Sequence, residues 1–389
     1  MILFSLFVCL ALAVYVLGGV ALWLGLSRPS SATSRATPFA SVIVAARNEA
    51  PVLPQLLEDL AAQTYPHCEV IVVDDRSTDD TAEIVRAAAA KHPGRFRLVR
   101  QAIVPAGKSP KKMALQKGDE ASRGELLLLC DADCRVQPSW VMGMVRCFEP
   151  GVAMVLGYSE LSINQTSRLF ERVQAFEFQT LVATMAASAN LGRPLGASGQ
   201  NVSIRRTAFD RIGGYSTVQH RVAGDDMLLL QMVKARPRLG RIVFADDPGT
   251  RNRTYPETSW RAFRNQRARW ASSGTHHFRG DRLFMAYALC SLVVNMTVLC
   301  GGLWAWAGWL WWPVWTATIA LKLGVDSMFF AAALRRFDRL RLLRYLPVWF
   351  VAQPFYILAQ AVWSQRQRWS WKADGQQPRQ PVFDAGASN

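Results

Sequence analysis

The chain has 389 residues, half of them hydrophobic and 19% charged, which excludes a disordered polymer and a small disulfide-stapled scaffold. Lys and Arg number 45 against 29 Asp and Glu, a formal charge of +16. Composition alone leaves that charge open to nucleic acid, an anionic membrane face or phosphate-bearing substrates.

Met1 to Leu26 contains no charged residue, more than the roughly 20 residues that cross a bilayer core of about 30 Å. It reads as a transmembrane helix over 1–26. A cleaved signal peptide fits less well, since there is no basic n-region or small-x-small cleavage site, and the apolar run exceeds the roughly 7–15 residues of an h-region. Residues 27–37 form a Ser/Thr/Pro linker carrying Arg28 and Arg35, and the positive-inside rule places residue 30 onward in the cytoplasm. A reducing compartment, an odd count of seven cysteines and two or three of them in membrane segments together predict no disulfides. Cys130 and Cys134 are four apart, but no His or Cys cluster nearby completes a zinc site.

Residues 38–282 read as one cytoplasmic domain. SVIVAAR (41–47), EVIVVDD (69–75), FRLVRQ (96–101) and ELLLLCDAD (125–133) are short continuous apolar runs separated by helical stretches such as APVLPQLLEDLAAQ and TDDTAEIVRAAAA. Continuous apolar strands alternating with helices predict a parallel sheet covered on both faces, a Rossmann-like α/β domain. Such sheets bind ligands at the carboxyl ends of their strands. Those ends carry Asn48-Glu49, Asp74-Asp75 and Asp131-Ala132-Asp133, with no GxGxxG after the first strand and no GxxxxGK[ST]. Ser77, with Asp80 three residues on, is expected to cap a helix starting near Asp79. Asp131 and Asp133, one residue apart where a buried strand breaks into a turn, repel unless a cation intervenes; a hard Mg2+ or Mn2+ shared with substrate phosphates answers that need.

Further along, Ala223-Gly224-Asp225-Asp226 opens an apolar helix, where an N-cap is the structural alternative. In Gln266-Arg267-Ala268-Arg269-Trp270, helical spacing puts Gln266, Arg269 and Trp270 on one face, suited to a diphosphate on Arg and a sugar ring on Trp. The same stretch, with eight Arg against Glu257 and Asp281 over 251–282, also suits an interfacial helix on anionic lipid.

Between Leu283 and Leu334 the only charges are Lys322 and Asp326, which predicts two spans over 283–334 turning at the Trp-rich GWLWWPVW. A basic cytoplasmic loop comes next, over 335–344. Residues 345–364 form a third C-terminal membrane segment, broken by Pro347 and Pro354. If it spans, the basic tail over 365–389 lies outside against the positive-inside rule, so an interfacial segment is the alternative.

IVAARNE, VVDDRSTD, DAD after an apolar strand, GQNVSIRRTAFDRIGGY, GDD before LLL and QRARW, in this order and spacing, resemble the family 2 glycosyltransferases. The branch is the membrane-bound one that includes cellulose synthase, hyaluronan synthase and ceramide glucosyltransferase. The resemblance implies a GT-A fold flanked by transmembrane helices. It implies a metal-dependent hexosyltransferase that moves a sugar, with inversion, from a nucleotide-diphosphate sugar, a UDP-sugar in first place. Asp74 and Asp75 would contact the nucleotide with Glu49 nearby, and Lys108 would add a contact, with Lys111 or Lys112 as alternatives. Asp131 and Asp133 would hold the diphosphate through Mg2+ or Mn2+, with Arg269 assisting. Asp226 would be the general base, Asp225 standing where Glu is more common. Gln266 and Trp270 would hold the acceptor, and Gln200 and Asn201 would line its side.

A cytoplasmic site tied to the bilayer on both sides suits a lipid acceptor, and the protein is expected in the inner membrane if bacterial. A processive polysaccharide synthase is the runner-up, since QxxRW occurs there too. Against it stand the three or four spans, too few for a polymer channel, and the lack of an appended regulatory domain. A non-catalytic scaffold predicts loss of acidic motifs that are all present. Nucleic acid is not an expected partner, because the basic excess sits beside membrane segments.

Overall fold

The computed structural model describes residues 1–28, 33–221, 224–274 and 281–366. Linker residues 29–32, Ala223 of the acidic motif and the basic tail from residue 367 onward lie outside the described residues. The chain divides into two compact units. One comprises residues 33–167 and 196–256; the other comprises 1–28, 168–195 and the described residues from 257 onward. This division cuts across the contiguous block 38–282 expected from sequence. The helix Leu169–Asn190 and the helix Trp260–Gly274 keep their contacts with the long apolar helices.

The first unit is built on a seven-stranded sheet. Its strands are β1 (Ala40–Ala46), β2 (Cys68–Asp75), β3 (Phe96–Gln101), β4 (Leu126–Asp131), β6 (Val152–Gly157), β8 (Val202–Arg205) and β9 (Arg241–Ala245), in the order β3-β2-β1-β4-β8-β6-β9. A second sheet joins β5 (Arg135–Val136), β10 (Asn252–Thr254) and β7 (Ser159–Leu161). Every residue of β1 and β2 is buried, which is why those segments read as unbroken apolar runs. Edge strand β3 is buried only at Phe96 and Gln101, and its sequence carries Arg97 and Arg100 accordingly.

Strands β1 to β4 run parallel among themselves, but β8 runs antiparallel to both β4 and β6. The sheet is parallel-dominated, as expected from sequence, with β8 reversed. A strand's direction depends on the route of its connection, and the apolar run of VSIRR carries no mark of it. The expected Ser77 cap also differs. Asp80 stands at the N-cap of the helix Thr81–Lys91 without a side-chain cap bond, Asp79 Oδ1 accepts the Thr81 N–H at 3.1 Å, and Ser77 Oγ accepts the Asn48 N–H at 3.0 Å. Asp79 reaches the first turn and Ser77 is spent on tying the β2 loop to the β1 loop.

In the second unit four helices are long and apolar enough to cross a membrane: Ile2–Leu26, Arg282–Trp306, Trp312–Arg336 and a stretch over Leu340–Gln360. The helix Leu346–Arg366 continues through Pro354 and starts with Pro347 in its first turn, where a missing N–H costs nothing. Trp306, Trp309, Trp311 and Trp312 are exposed at the turn between the second and third of these helices, as an interfacial belt requires. Lys322 and Asp326 are buried in a polar knot. Asp326 accepts from Lys322 at 2.5 Å and from the Tyr15 hydroxyl at 2.5 Å, and Lys322 also donates to Gln353 at 2.6 Å. Three helices are thus pinned by charges that hydrocarbon would otherwise reject. All seven cysteines are free thiols.

Candidate active site

The carboxyl ends of β1 and β2 are stitched together by side chain to backbone bonds. Asn48 and Arg76 come just after these strands in left-handed conformations, at φ 53° and 55°. Strain at two successive strand ends persists only where the surroundings fix it. Asn48 Oδ1 accepts the Thr78 N–H at 2.9 Å, and the Glu49 N–H donates to Thr81 Oγ1 at 2.9 Å, so Glu49 is buried at the root of this loop.

Asp74 accepts the Ser77 N–H at 3.1 Å and lies 3.5 Å from the Arg100 guanidinium. Asp75, fully buried, accepts from Gln101 at 2.8 Å and from Arg76 at 2.9 Å. Both carboxylates fasten the wall of the strand-end crevice, and neither is open to solvent.

Strand β4 ends in Asp131, and a turn closed by the Cys134 N–H on the Asp131 carbonyl at 3.2 Å carries Asp133. Pro110 at the first position and Ser109 before it start the helix Pro110–Ala121, whose second residue is Lys111. Lys111 Nζ donates to Asp131 Oδ1 at 2.8 Å and lies 3.0 Å from Asp225 Oδ2. One ammonium thus links the DAD segment to the GDD segment. Lys108 sits exposed in the turn at Gly107, and Lys112 is buried with its ammonium on the Arg221 carbonyl at 2.6 Å. Lys111 bridges Asp131 and Asp225, whereas Lys108 faces solvent. Burial pushes the Lys112 ammonium down to about 8, against the pull of Asp225 and Asp226.

Asp225 and Asp226 begin the helix Asp225–Lys234 immediately after Gly224, whose φ of 72° turns the chain into it. Asp226 Oδ2 accepts the Gly199 N–H at 2.8 Å and Oδ1 its neighbour Met227's N–H at 2.7 Å. A Cβ at Gly199 would come within 3.1 Å of Asp225 Oδ2, a tight contact with that carboxylate. Burial, then the charge of Asp225, push the Asp226 carboxyl up to about 6, while Lys111 and the two N–H groups hold it lower. The buried Tyr215 hydroxyl has no hydrogen-bond partner among the described residues, and burial and then the charges of Asp225, Asp226 and Asp131 keep it protonated. Sequence reading quoted Tyr215 only as part of GGY; nothing in its spacing marked it.

On the next loop, Asn201 is spent on the fold. Its amide donates to the carbonyls of Tyr158 at 2.8 Å and Thr250 at 2.9 Å, and its oxygen accepts from Trp140 at 3.0 Å. Gln200 differs, with a buried Oε1 that has no partner among the described residues.

The QRARW segment lies in the second unit, on the helix Trp260–Gly274. Gln266 donates to Glu257 at 2.9 Å. The residue between the expected ones dominates: Arg267 is buried, paired with Glu177 through two hydrogen bonds, and has Trp270 and Phe263 rings 4.1 Å and 4.6 Å from its guanidinium carbon. A fully buried arginine inside a motif read for its polar face was invisible from helical spacing alone. Arg269 is half-buried on the same helix.

The donor set of this strand end is all hard oxygen, and the Lys111 ammonium already stands between two of its carboxylates, so the residues fit a divalent cation of the Mg2+ or Mn2+ class. Among the described residues no three His, Cys, Asp or Glu side chains converge as a preformed metal cage. A site completed by substrate phosphates needs none.

Known proteins resemble this chain in sequence and in fold. The chain is 28% identical over 181 residues to a beta-monoglucosyldiacylglycerol synthase from Nostoc sp. (strain PCC 7120), covering 46% of this chain and 38% of that one. It is 30% identical over 120 residues to an undecaprenyl-phosphate 4-deoxy-4-formamido-L-arabinose transferase from Pseudomonas savastanoi, covering 30% and 34%. The chain thus spans well under half the length of these curated relatives. A mannosyltransferase from Pyrobaculum calidifontis, solved with GDP-Man and Mn2+, superposes with a TM-score of 0.60 at 21% identity over 92% of this chain and 98% of that one, and carries the GT-A fold. The signature of glycosyl transferase family 21, a family of the family 2 type, matches residues 3–373, and the chain belongs to that family.

Proposed function

We propose that this protein is an inverting, metal-dependent glycosyltransferase that moves a hexose from a nucleotide-diphosphate sugar to a lipid acceptor at the membrane. The observation that carries the reading is the Lys111 bridge between Asp131 and Asp225, which brings the strand-end carboxylates beside Asp226, an acid pushed toward neutrality. A base with a pKa near 6 is matched to removing an alcohol proton near neutral pH.

In the step proposed, the acceptor O–H breaks and its proton passes to the Asp226 carboxylate. The acceptor oxygen forms the new bond to the anomeric carbon, and the bond from that carbon to the diphosphate breaks, releasing the nucleoside diphosphate. Asp225 shares the Lys111 ammonium and tunes Asp226 by its charge. Asp131 and Asp133 would hold Mg2+ or Mn2+, which when bound neutralises the diphosphate. Lys111 is the lysine suited to the same phosphates; this favours it over Lys108. Asp74, Asp75 and Glu49 shape the nucleotide wall through Arg76, Gln101 and the Asn48 loop. The unpartnered Gln200 oxygen suits an acceptor hydroxyl, whereas Asn201 holds the loop. Gln266 and Trp270 for the acceptor and Arg269 for the diphosphate rest on the motif.

A lipid acceptor is favoured by the four candidate spans and by relatives named for diacylglycerol and undecaprenyl-phosphate products. Arg28 and Arg35 after the first span support a cytoplasmic catalytic unit, in the inner membrane if the cell is bacterial. The test is nucleotide release from UDP- and GDP-sugars by detergent-solubilised protein with Mn2+ and total lipid extract. Lipid-dependent release with one donor that vanishes in Asp226→Asn supports the reading. Silence with every donor from folded protein would sink it, and a polymeric product would replace it with a polysaccharide synthase.

A further inference from the structure

The helix Trp260–Gly274 holds an arginine that neither sequence spacing nor the proposed chemistry uses. Arg267 is 1% exposed, and each of its three nitrogens donates a hydrogen bond. Nε donates to Glu177 Oε1 at 3.1 Å, one terminal nitrogen donates to Glu177 Oε2, and the other donates to Gln266 Oε1. The rings of Phe263 and Trp270 lie against it. Glu177, buried on the helix Leu169–Asn190, also accepts from the Tyr356 hydroxyl at 2.7 Å, on the helix Leu346–Arg366. Three helices meet at one carboxylate.

Gln266 and Trp270 are therefore the two motif residues whose side chains touch Arg267. A planar fork fixed by a bidentate carboxylate leaves little freedom to groups bonded to its third edge and stacked on its face. Gln266 is further pinned through Glu257, whose backbone N–H and carbonyl are both bonded to the Gln174 side chain, at 3.1 Å and 2.8 Å. The charge pair is dry, so removing either partner leaves an uncompensated buried ion. A lysine at 267 keeps the charge but loses the fork and the stacking.

We infer that Arg267 is a positioning residue for acceptor binding: locked by Glu177 and Tyr356, it sets the orientation of the Gln266 amide and the Trp270 ring. The inference rests on the transferase reading, in which these two residues meet the acceptor.

Full-length protein in mixed micelles tests it, with nucleotide release tracked from the UDP- or GDP-sugar that the wild type turns over while total lipid extract is titrated. Arg267→Lys is expected to raise the half-saturating lipid about tenfold and leave the half-saturating donor within about twofold. Glu177→Gln moves it the same way, and Tyr356→Phe, which removes one hydrogen bond, does so by about two- to threefold. Amide hydrogen exchange in the helix Trp260–Gly274 should speed up in Arg267→Lys while that in the helix Asp225–Lys234 stays unchanged. Should Arg267→Lys fail to fold, the Tyr356→Phe titration decides alone. Equal loss of donor and lipid affinity, or unchanged lipid dependence in an active protein, overturns the positioning role. A wild type silent with every donor overturns the transferase reading and this inference together.

Discussion

Two clusters of charge, one at the end of the sheet and one among the long helices, are built on opposite principles. At the sheet end, Asp225 raises the pKa of Asp226, so like charges lie close enough to repel and a single lysine bridges two carboxylates. Among the helices, Lys322 meets Asp326, and Arg267 meets Glu177, each with additional neutral partners. The first arrangement leaves like charges close together, which suits the cation and anionic substrate proposed for it. The second dissipates it into architecture. A charged group near a site is thus informative by what opposes it as well as by where it sits.

The widest break in that contrast comes from Asp226→Asn. Transfer is expected to fall by about 10²- to 10⁴-fold while donor affinity stays within about twofold, measured by nucleotide release and by donor titration. Asp133→Ala tests the other edge of the same cluster. It should weaken donor binding in Mn2+ by at least about tenfold and leave metal-free binding little changed, checked by calorimetry with and without chelator. Equal loss of donor affinity in both variants would contradict the assigned roles.

Among the helices the expected pattern is one of non-additivity. Lys322→Met leaves Asp326 buried without its cation and should cost about 3–5 kcal/mol, whereas Lys322→Met with Asp326→Leu should recover most of that loss. Thermal unfolding in detergent of the single and double variants reads it; a double variant as unstable as Lys322→Met alone would mean the pair is a net contributor in its own right.

Protonation sharpens the comparison in two smaller ways. With Asp226 titrating at about 6, the transfer rate should climb about tenfold per pH unit below that value and level off above it, provided Asp226 is the base. Linkage gives the stability counterpart. An acid whose pKa rises from 3.8 unfolded to about 6 folded holds its proton more tightly in the fold, so stability falls as pH climbs through that window and the loss is complete at pH 7. Asp226→Asn should then melt about 2–4 °C higher than wild type at pH 7, with the difference vanishing near pH 4.

Much of the fold was readable from the chain because burial on both faces writes itself into β1, β2 and β4 as unbroken Val, Ile and Leu. The reversed direction of β8 was not, since pairing partners far apart in sequence decide it. The acidic motifs were legible by their place at strand ends. Their partners were less so: the family resemblance put Lys108 first as the nucleotide contact, yet the helix begins two residues later and points Lys111 inward. Asn201 and Asp79 show the same limit from the other side. A short polar residue beside a site looks alike in sequence whether it faces a ligand or bonds a backbone, and here Asn201 holds Tyr158 and Thr250.

The polar knot around Asp326 has a consequence for how the protein is made. Tyr15 and Asp326 are separated by 311 residues, and at about 5–20 residues per second the ribosome needs about 15–60 s to travel from one to the other. Gln353 emerges later still, 31 residues after Lys322. During that interval the first helix resides in the bilayer with its tyrosine hydroxyl lacking this partner. The helix that enters first waits longest for its anchor, the helix that carries Gln353 closes the knot last, and the nascent chain must keep the first helix nearby until Asp326 arrives.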